Sequence, residues 1–177
     1  MTDPAGGVAT TSTTAVTPNL DTQRKSTTMT DLTIEREILI EAPAEVVWRT
    51  ITEPEQVVRW FADRVELDAR PGGKGTLVFE HMANIAALVV ETVDPPHRFA
   101  FRWCHPDGET PVPGNSVLVE FTLTAEGDER TRLRVAETGL DAIGWPDDDK
   151  AGYAEEHREG WDVHLGRLGG LFDTPAG

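Results

Sequence analysis

The chain of 177 residues is long enough for one domain with a hydrophobic core. Its 31 acidic residues outnumber its 16 basic ones, which gives a formal net charge of −15. Such a charge disfavours phosphate backbones and anionic membranes, so we expect neither nucleic acid nor a membrane as a partner.

The first residues suggest where the protein resides and where its domain begins. They lack the basic and apolar regions of a signal peptide, and the single cysteine excludes an intrachain disulfide. We therefore expect a cytoplasmic protein. Residues 1–30 are rich in Thr, Ser, Ala and Gly, which predicts a disordered tail before a single domain over residues 31–174.

The patterned region opens with a strand and two short helices. In "LTIEREILIE" apolar residues alternate with polar ones, which predicts a half-buried strand. The period then changes to that of a helix in "APAEVVWRTI", where Pro43 suits a helix start. A second short helix is predicted at "EPEQVVRWF".

About six strands follow these helices. The segment "DRVELDARPGGKGTLVFEH" predicts two strands joined by a Pro-Gly-Gly turn, and "NIAALVVETV" and "FAFRWC" predict two more. A last hairpin is predicted in "SVLVEFTLT" and "TRLRVAE". Short turns between consecutive strands indicate an antiparallel sheet with one apolar face.

The last helix is the element that can cover this face. Wound at about 100° per residue, its apolar side chains share one side, where two histidines also fall. The set is Tyr153, His157, Trp161, His164, Leu165, Leu168, Leu171 and Phe172. Each helix glycine costs about 1 kcal/mol relative to alanine. We interpret Gly160 and Gly169, which flank the stripe, as leaving room for the sheet or for a bound molecule.

Four segments in this order resemble a known family. They are "EAPAEVVWRTITEPEQVVRWF", "RPGGKGTLVFE", "VDPPHRFAFRW" and "EEHREGWDVHLGRLGGLF". Together they resemble the homologues of the heat-shock protein 90 ATPase activator, a branch of the START-like superfamily that includes polyketide cyclases. The resemblance spans Leu32–Phe172. It implies the α+β helix-grip fold, in which a curved antiparallel sheet wraps around a long C-terminal helix and leaves a cavity, but it carries over no catalytic signature.

We expect this cavity to bind a small hydrophobic or aromatic molecule. Apolar and aromatic side chains with a few polar groups are the usual lining of such pockets. The candidate lining residues are Phe79, His81, Phe101, Trp103, His157, Trp161, His164, Leu165 and Leu168.

Metal and cofactor chemistry has little support in the sequence. His157 and His164 are seven residues apart, about 10.5 Å along a helix, which is too far for both to bind one metal ion. The HExxH and CxxC patterns are missing as well. We expect neither a metal nor a cofactor. The histidines either form hydrogen bonds within the interior or orient a ligand.

Three charged residues interrupt otherwise apolar strand patterns. Glu91 and Glu137 continue the phase of their apolar neighbours, and Arg36 does the same in the first strand. A buried carboxylate could act as an acid or base. An inward pair between Arg36 and a carboxylate could instead be structural, which we favour. Cys104 and His105 are neighbours on a strand and face opposite ways, which argues against a nucleophile.

A binding protein without known chemistry is the favoured interpretation. The first alternative is a cyclase/aromatase-type or hydrolase-type enzyme that uses the same pocket. The second is a module that docks on a chaperone. Catalytic residues are not identifiable, and either a monomer or a homodimer is compatible with the sequence.

Overall fold

The structure is a computed structural model that describes residues 32–173. The tail expected over residues 1–30 lies outside the described residues, as do the domain limits at residues 31 and 174. Within residues 32–173 no helix is long and apolar enough to cross a membrane.

Seven strands and three helices form between residues 32 and 173. The strands are β1 (Ile34–Ile40), β2 (Arg64–Leu67), β3 (Lys74–Phe79), β4 (Asn84–Asp94), β5 (Arg98–Trp103), β6 (Val117–Ala125) and β7 (Thr131–Thr138). The helices are α1 (Ala44–Thr52), α2 (Pro54–Val57) and α3 (Asp147–Gly170), and single 3-10 turns occur at Glu80–Met82 and Leu140–Ala142.

The strands make one antiparallel sheet in the order β1-β7-β6-β5-β4-β3-β2. Its outer face carries ion pairs between neighbouring strands, such as Arg98 with Glu120 and Arg102 with Glu91. Its inner face carries buried apolar residues such as Val119. The sheet is therefore apolar on one side only, and that side must be covered.

Helix α3 covers the inner face. It follows Pro146 and has three aspartates in its first turn, where the helix dipole favours negative charge. Its buried side chains include Trp161, Leu165 and Leu168. Arg36 Nε lies 2.6 Å from Asp162 Oδ1, so the inward arginine of β1 ties the sheet to the helix. The predicted α+β helix-grip architecture is confirmed.

The connection between α2 and β2 closes one end of the space between sheet and helix. Trp60 and Phe61 lie in the turn after α2 and are almost fully buried. The indole Nε1 of Trp60 donates a hydrogen bond of 2.9 Å to the carbonyl oxygen of Thr50. This bond fixes the turn to α1 and directs Phe61 towards α3.

The α3 glycines have free space beside them that a larger side chain could fill. Apart from the adjacent residues and the nearby backbone of α3 itself, no heavy atom of the described chain lies within 4 Å of a Cβ placed at Gly160 or Gly166. At Gly169 the nearest atom is Ile38 Cδ1 at 4.0 Å, an ordinary contact. The sheet therefore does not require glycine at these positions.

We accordingly expect Gly160→Ala and Gly166→Ala each to raise the free energy of unfolding. The expected gain is about 0.5–1 kcal/mol per substitution, because alanine is the better helix former and nothing obstructs its methyl group. Urea denaturation measures it. Gly139→Ala is the matched control and should destabilise the protein, because Gly139 has a φ of +95°. A loss of stability at Gly160 and Gly166 would contradict the expectation.

Candidate functional site: an aromatic core with a buried carboxylate

The side chain of Glu137, near the end of β7, points into the space between sheet and helix. The residue is 2% exposed and shares the inward phase of Val135. Of the carboxylates that interrupt strand patterns, Glu91 instead lies on the outer face and pairs with Arg102. Glu137 therefore gives an otherwise apolar core a polar end.

Four donors from two elements surround this carboxylate. From β5, Trp103 Nε1 donates to Oε1 at 3.2 Å. From α3, Tyr153 donates its hydroxyl to Oε1 at 2.5 Å, and Trp161 Nε1 donates to Oε2 at 2.7 Å. His157 Nδ1 lies 3.1 Å from Oε1. The three α3 residues are spaced by four, so they share one helix face.

These contacts keep Glu137 ionised despite its position. Burial by itself raises the pKa of the carboxyl group. The hydrogen bond and charge of His157, with the bonds from Tyr153 and Trp161, outweigh burial and hold the pKa below its usual value. The carboxylate is charged and surrounded by donors, so it is suited to orienting aromatic side chains rather than to transferring protons.

Cys104 extends the hydrogen-bonded group but is not a nucleophile. Its Sγ lies 3.2 Å from the Tyr153 hydroxyl oxygen. Because that hydroxyl donates to Glu137, the thiol is the donor to Tyr153. Burial raises the pKa of Cys104 to about 11, with Glu137 adding to the effect, so the thiol stays protonated. Burial also raises the pKa of Tyr153 far above its usual range.

Aromatic rings fill the space beside the carboxylate, with Phe61 at their centre. Its ring stacks on Trp161 at a centroid distance of 5.3 Å and an interplanar angle of 14°, and on Trp103 at 6.0 Å and 29°. It meets Phe79 and His164 edge to face at 5.8 and 4.8 Å. Phe61 thus occupies the place between sheet and helix where we expected a ligand.

The space that remains is small. A void of about 20 Å³ lies in the core, which is room for about one water molecule. Its walls are formed by Ile51, Val57, Trp60, Phe61, Leu67, Leu77, Leu88, Phe99, Phe101 and Phe121. Of the predicted lining residues only Phe101 borders this void, and no α3 residue does. At the expected place, against Trp103 and Trp161, a ligand has to displace the ring of Phe61.

His164 meets the Phe61 ring edge to face. Its Nδ1 is buried and makes no hydrogen bond with any of residues 32–173. Burial lowers the pKa of His164 to about 4, although a hydrogen bond with the backbone of Trp60 acts in the opposite direction. The imidazole is therefore neutral at physiological pH, with its Nδ1 buried and without a hydrogen bond to the described chain.

The histidine makes stability dependent on pH. The unfolded chain takes up a proton at His164 below its ordinary pKa of 6.5, whereas the folded chain does so only near 4. We expect the free energy of unfolding to fall by about 2–3 kcal/mol as the pH falls through this window. Urea denaturation between pH 7 and pH 4 measures the fall. In His164→Phe the decrease should be smaller, and an unchanged profile would contradict the assignment.

The structure brings together most of the residues predicted to line the pocket. On the inner sheet face and α3 these are Phe79, Phe101, Trp103, His157, Trp161, His164, Leu165 and Leu168. His81 is placed differently: it lies in the 3-10 turn after β3, with a side chain 67% exposed and 3.9 Å from Asp63. Strand alternation stops at Phe79, so His81 does not project inwards as expected.

Sequence reasoning missed two residues of the site. The sequence predicts Phe61 only as the end of a short helix, although a large apolar residue in a polar connection is a sign of burial. The apolar stripe of α3 predicts a buried position for Tyr153 but no role for its hydroxyl. Its distance of 16 residues from Glu137 gives no local signal that the two are hydrogen-bonded.

The fold and site define a class of protein: a helix-grip domain whose long helix is held over the sheet by an aromatic core and a buried carboxylate. Residues 41–173 match the family described as Activator of Hsp90 ATPase homolog 1-like protein. The match covers most of the chain, and the protein belongs to this family. A search of curated proteins found no match.

Solved structures show the same fold. MLL2253 from Mesorhizobium loti is 22% identical with a TM-score of 0.65, and the match covers 78% of this chain and 95% of that one. DynU16, from the dynemicin biosynthetic locus, is 25% identical with a TM-score of 0.63, covering 80% of this chain and 47% of that one. PFC0360w, an HSP90 activator from Plasmodium falciparum, is 16% identical with a TM-score of 0.61, covering 78% and 94%.

Proposed function

We propose that the protein binds a small aromatic or hydrophobic molecule between the inner sheet face and α3. The observation that carries this proposal is the aromatic lining around Phe61. Trp103 and Trp161 stack on its ring, and both indoles are held by Glu137. Rings fixed in this way form a preorganised surface for another flat apolar molecule.

Burial of apolar surface would supply most of the affinity. At about 25 cal/mol per Å², a ligand that buries about 200 Å² gains about 5 kcal/mol before the costs of association. His157 is engaged with Glu137, whereas His164 has a buried nitrogen without a hydrogen bond to the described chain. His164 is therefore the better candidate to orient the ligand. Arg36 is bound to Asp162, which favours a structural role.

The relatives support this proposal to different degrees. DynU16 is linked by its genetic locus to dynemicin biosynthesis, which agrees with a role around small organic molecules. The family description and the HSP90 activator of Plasmodium falciparum favour a second candidate, docking on a chaperone. An enzyme using the pocket is less favoured, since Glu137 is surrounded by donors and Cys104 is protonated. We further propose a cytoplasmic monomer or homodimer without a cofactor.

Native mass spectrometry of the protein purified from its own cells tests the proposal. We expect a stoichiometric small molecule, which denaturing extraction would release for identification. Leu165→Ala should lower its occupancy, because Leu165 belongs to the buried face of α3. Leu140→Ala is a matched control, buried to a similar degree in a turn outside α3 and the sheet. An empty protein that co-purifies with a chaperone would favour the second candidate.

A further inference from the structure

The aromatic core contains two buried rings, Trp60 and Phe61, that neither gripping element supplies. Phe79 and Trp103 belong to the sheet, and Trp161 belongs to α3. Trp60 and Phe61 both come from the turn between α2 and β2. Trp60 stacks on Phe61 at 5.0 Å, and Phe61 is the ring stacked against both Trp103 and Trp161. The binding surface is therefore covered by a side chain of the protein itself.

The attachment of Phe61 allows its ring to leave without disturbing the sheet. Its turn carries exposed side chains at Val58 and Arg59, so its outer side faces solvent. Trp60 is fixed by its hydrogen bond to Thr50. The Phe61 side chain has no comparable polar anchor, and its backbone N–H bonds locally, to Val57 at 2.9 Å. Trp60 can thus stay in place while the Phe61 ring moves.

The side chains around Phe61 also favour one class of ligand. The indoles of Trp103 and Trp161 stack on the Phe61 ring. The imidazole of His164 meets this ring edge to face, 4.8 Å between centroids. The buried Nδ1 of His164 has no hydrogen bond with the described chain. A buried polar atom without a partner destabilises the protein while it is unsatisfied. A ligand that places a hydroxyl group there gains a hydrogen bond that Phe61 cannot make.

We propose that Phe61 is a displaceable plug: an aromatic molecule carrying a hydroxyl group replaces its ring against Trp103 and Trp161 and hydrogen-bonds to His164. The inference rests on the proposed function and adds the ligand class and the moving side chain. Truncating Phe61 to alanine should leave a cavity against Trp103 and Trp161. Engineered apolar cavities of about 150 Å³ bind benzene-sized molecules, so this cavity is suited to a small aromatic probe.

Calorimetry with phenol and toluene tests the plug, since the two probes have similar shapes and differ by a hydroxyl. Phe61→Ala should bind both probes at least tenfold more tightly than the wild type, and phenol about tenfold more tightly than toluene. Adding His164→Phe should abolish the preference for phenol. Leu133→Ala is the matched cavity control; its strand neighbours are Ile38 and Leu123, and it should show no preference.

Three results would overturn the plug: a folded Phe61→Ala that binds neither probe, wild-type affinity equal to that of the variant, or equal affinity for phenol and toluene. If Phe61→Ala does not fold, Phe61→Leu takes its place. Hydrogen exchange of the wild type with saturating phenol is the second measurement. Amides of residues 57–62 should exchange faster with phenol bound, and slower exchange there would count against displacement.

Failure of the Phe61 plug can be distinguished from failure of the proposed function. If wild-type protein carries no cellular ligand but Phe61→Ala binds phenol as expected, the plug stands and the proposed function loses its support. If the wild type carries an aromatic ligand and Phe61→Ala binds no more tightly, the plug alone is overturned.

Discussion

Glu137→Gln should destabilise the protein by about 3–5 kcal/mol, the usual cost of breaking a buried charged network. The amide would turn its NH₂ group towards the donors of Trp103, Tyr153 or Trp161, which now converge on two carboxylate oxygens. It would also remove the charge that His157 faces. For a chain of this size, the midpoint of thermal unfolding should fall by about 10 °C. Urea and thermal denaturation measure both effects.

Glu120→Gln is the control for this substitution. Glu120 pairs with Arg98 on the outer face of the sheet, where an ion pair contributes about 1 kcal/mol or less. The pH profile gives a further check. Because the folded pKa of Glu137 is lowered, its contribution is present above the ordinary value of 4.5 and is lost as the pH falls through the folded pKa. Equal losses of stability in Glu137→Gln and Glu120→Gln would show that the buried network around Glu137 contributes little.

Trp161→Phe should cost about 2–3 kcal/mol, and Trp161→Ala about 4–5 kcal/mol. Phenylalanine keeps a ring against Phe61 but loses the 2.7 Å hydrogen bond to Glu137. Alanine loses both and leaves a cavity. Urea denaturation of the two variants separates the polar from the apolar contribution of this side chain.

Trp48→Phe is the corresponding control. Trp48 is half-buried and packs edge to face on Phe99 at 6.2 Å, so we expect a loss below about 1 kcal/mol. The double variant Glu137→Gln with Trp161→Phe should lose less than the sum of the single losses, because both remove the same hydrogen bond. Additive losses would mean that the two residues act independently.

Local periodicity was enough to predict the elements but not the site. The strand and helix patterns predicted the sheet and α3, and the phase of Glu137 with Val135 marked this residue as unusual. The register that brings Trp103 beside Glu137 depends on β5, β6 and β7 pairing in sequence. That information is distributed along the chain, so the four donors could not be identified from any one segment.

The errors have local causes. Alternation along β3 suggested that His81 continues the inward face of Phe79, but the strand ends there and a 3-10 turn follows. The apolar stripe of α3 suggested that its glycines leave room, whereas the space for a ligand is governed by Phe61 from another element. A helical pattern reports which face is covered but not which side chain covers it.

The pairing of β1 with β7 has a consequence for the order in which the protein assembles. Ile34 lies opposite Glu137, so β1 is synthesised before β2 to β7 but waits for β7 before it gains its neighbour in the described sheet. Contacts so distant along the chain slow folding. The central hairpins can form earlier, while β1 and the Arg36 contact to α3 form only once nearly the whole domain has left the ribosome. Until then the apolar face of β1 lacks its neighbouring strand and covering helix, and nascent chains are most prone to aggregation in this interval.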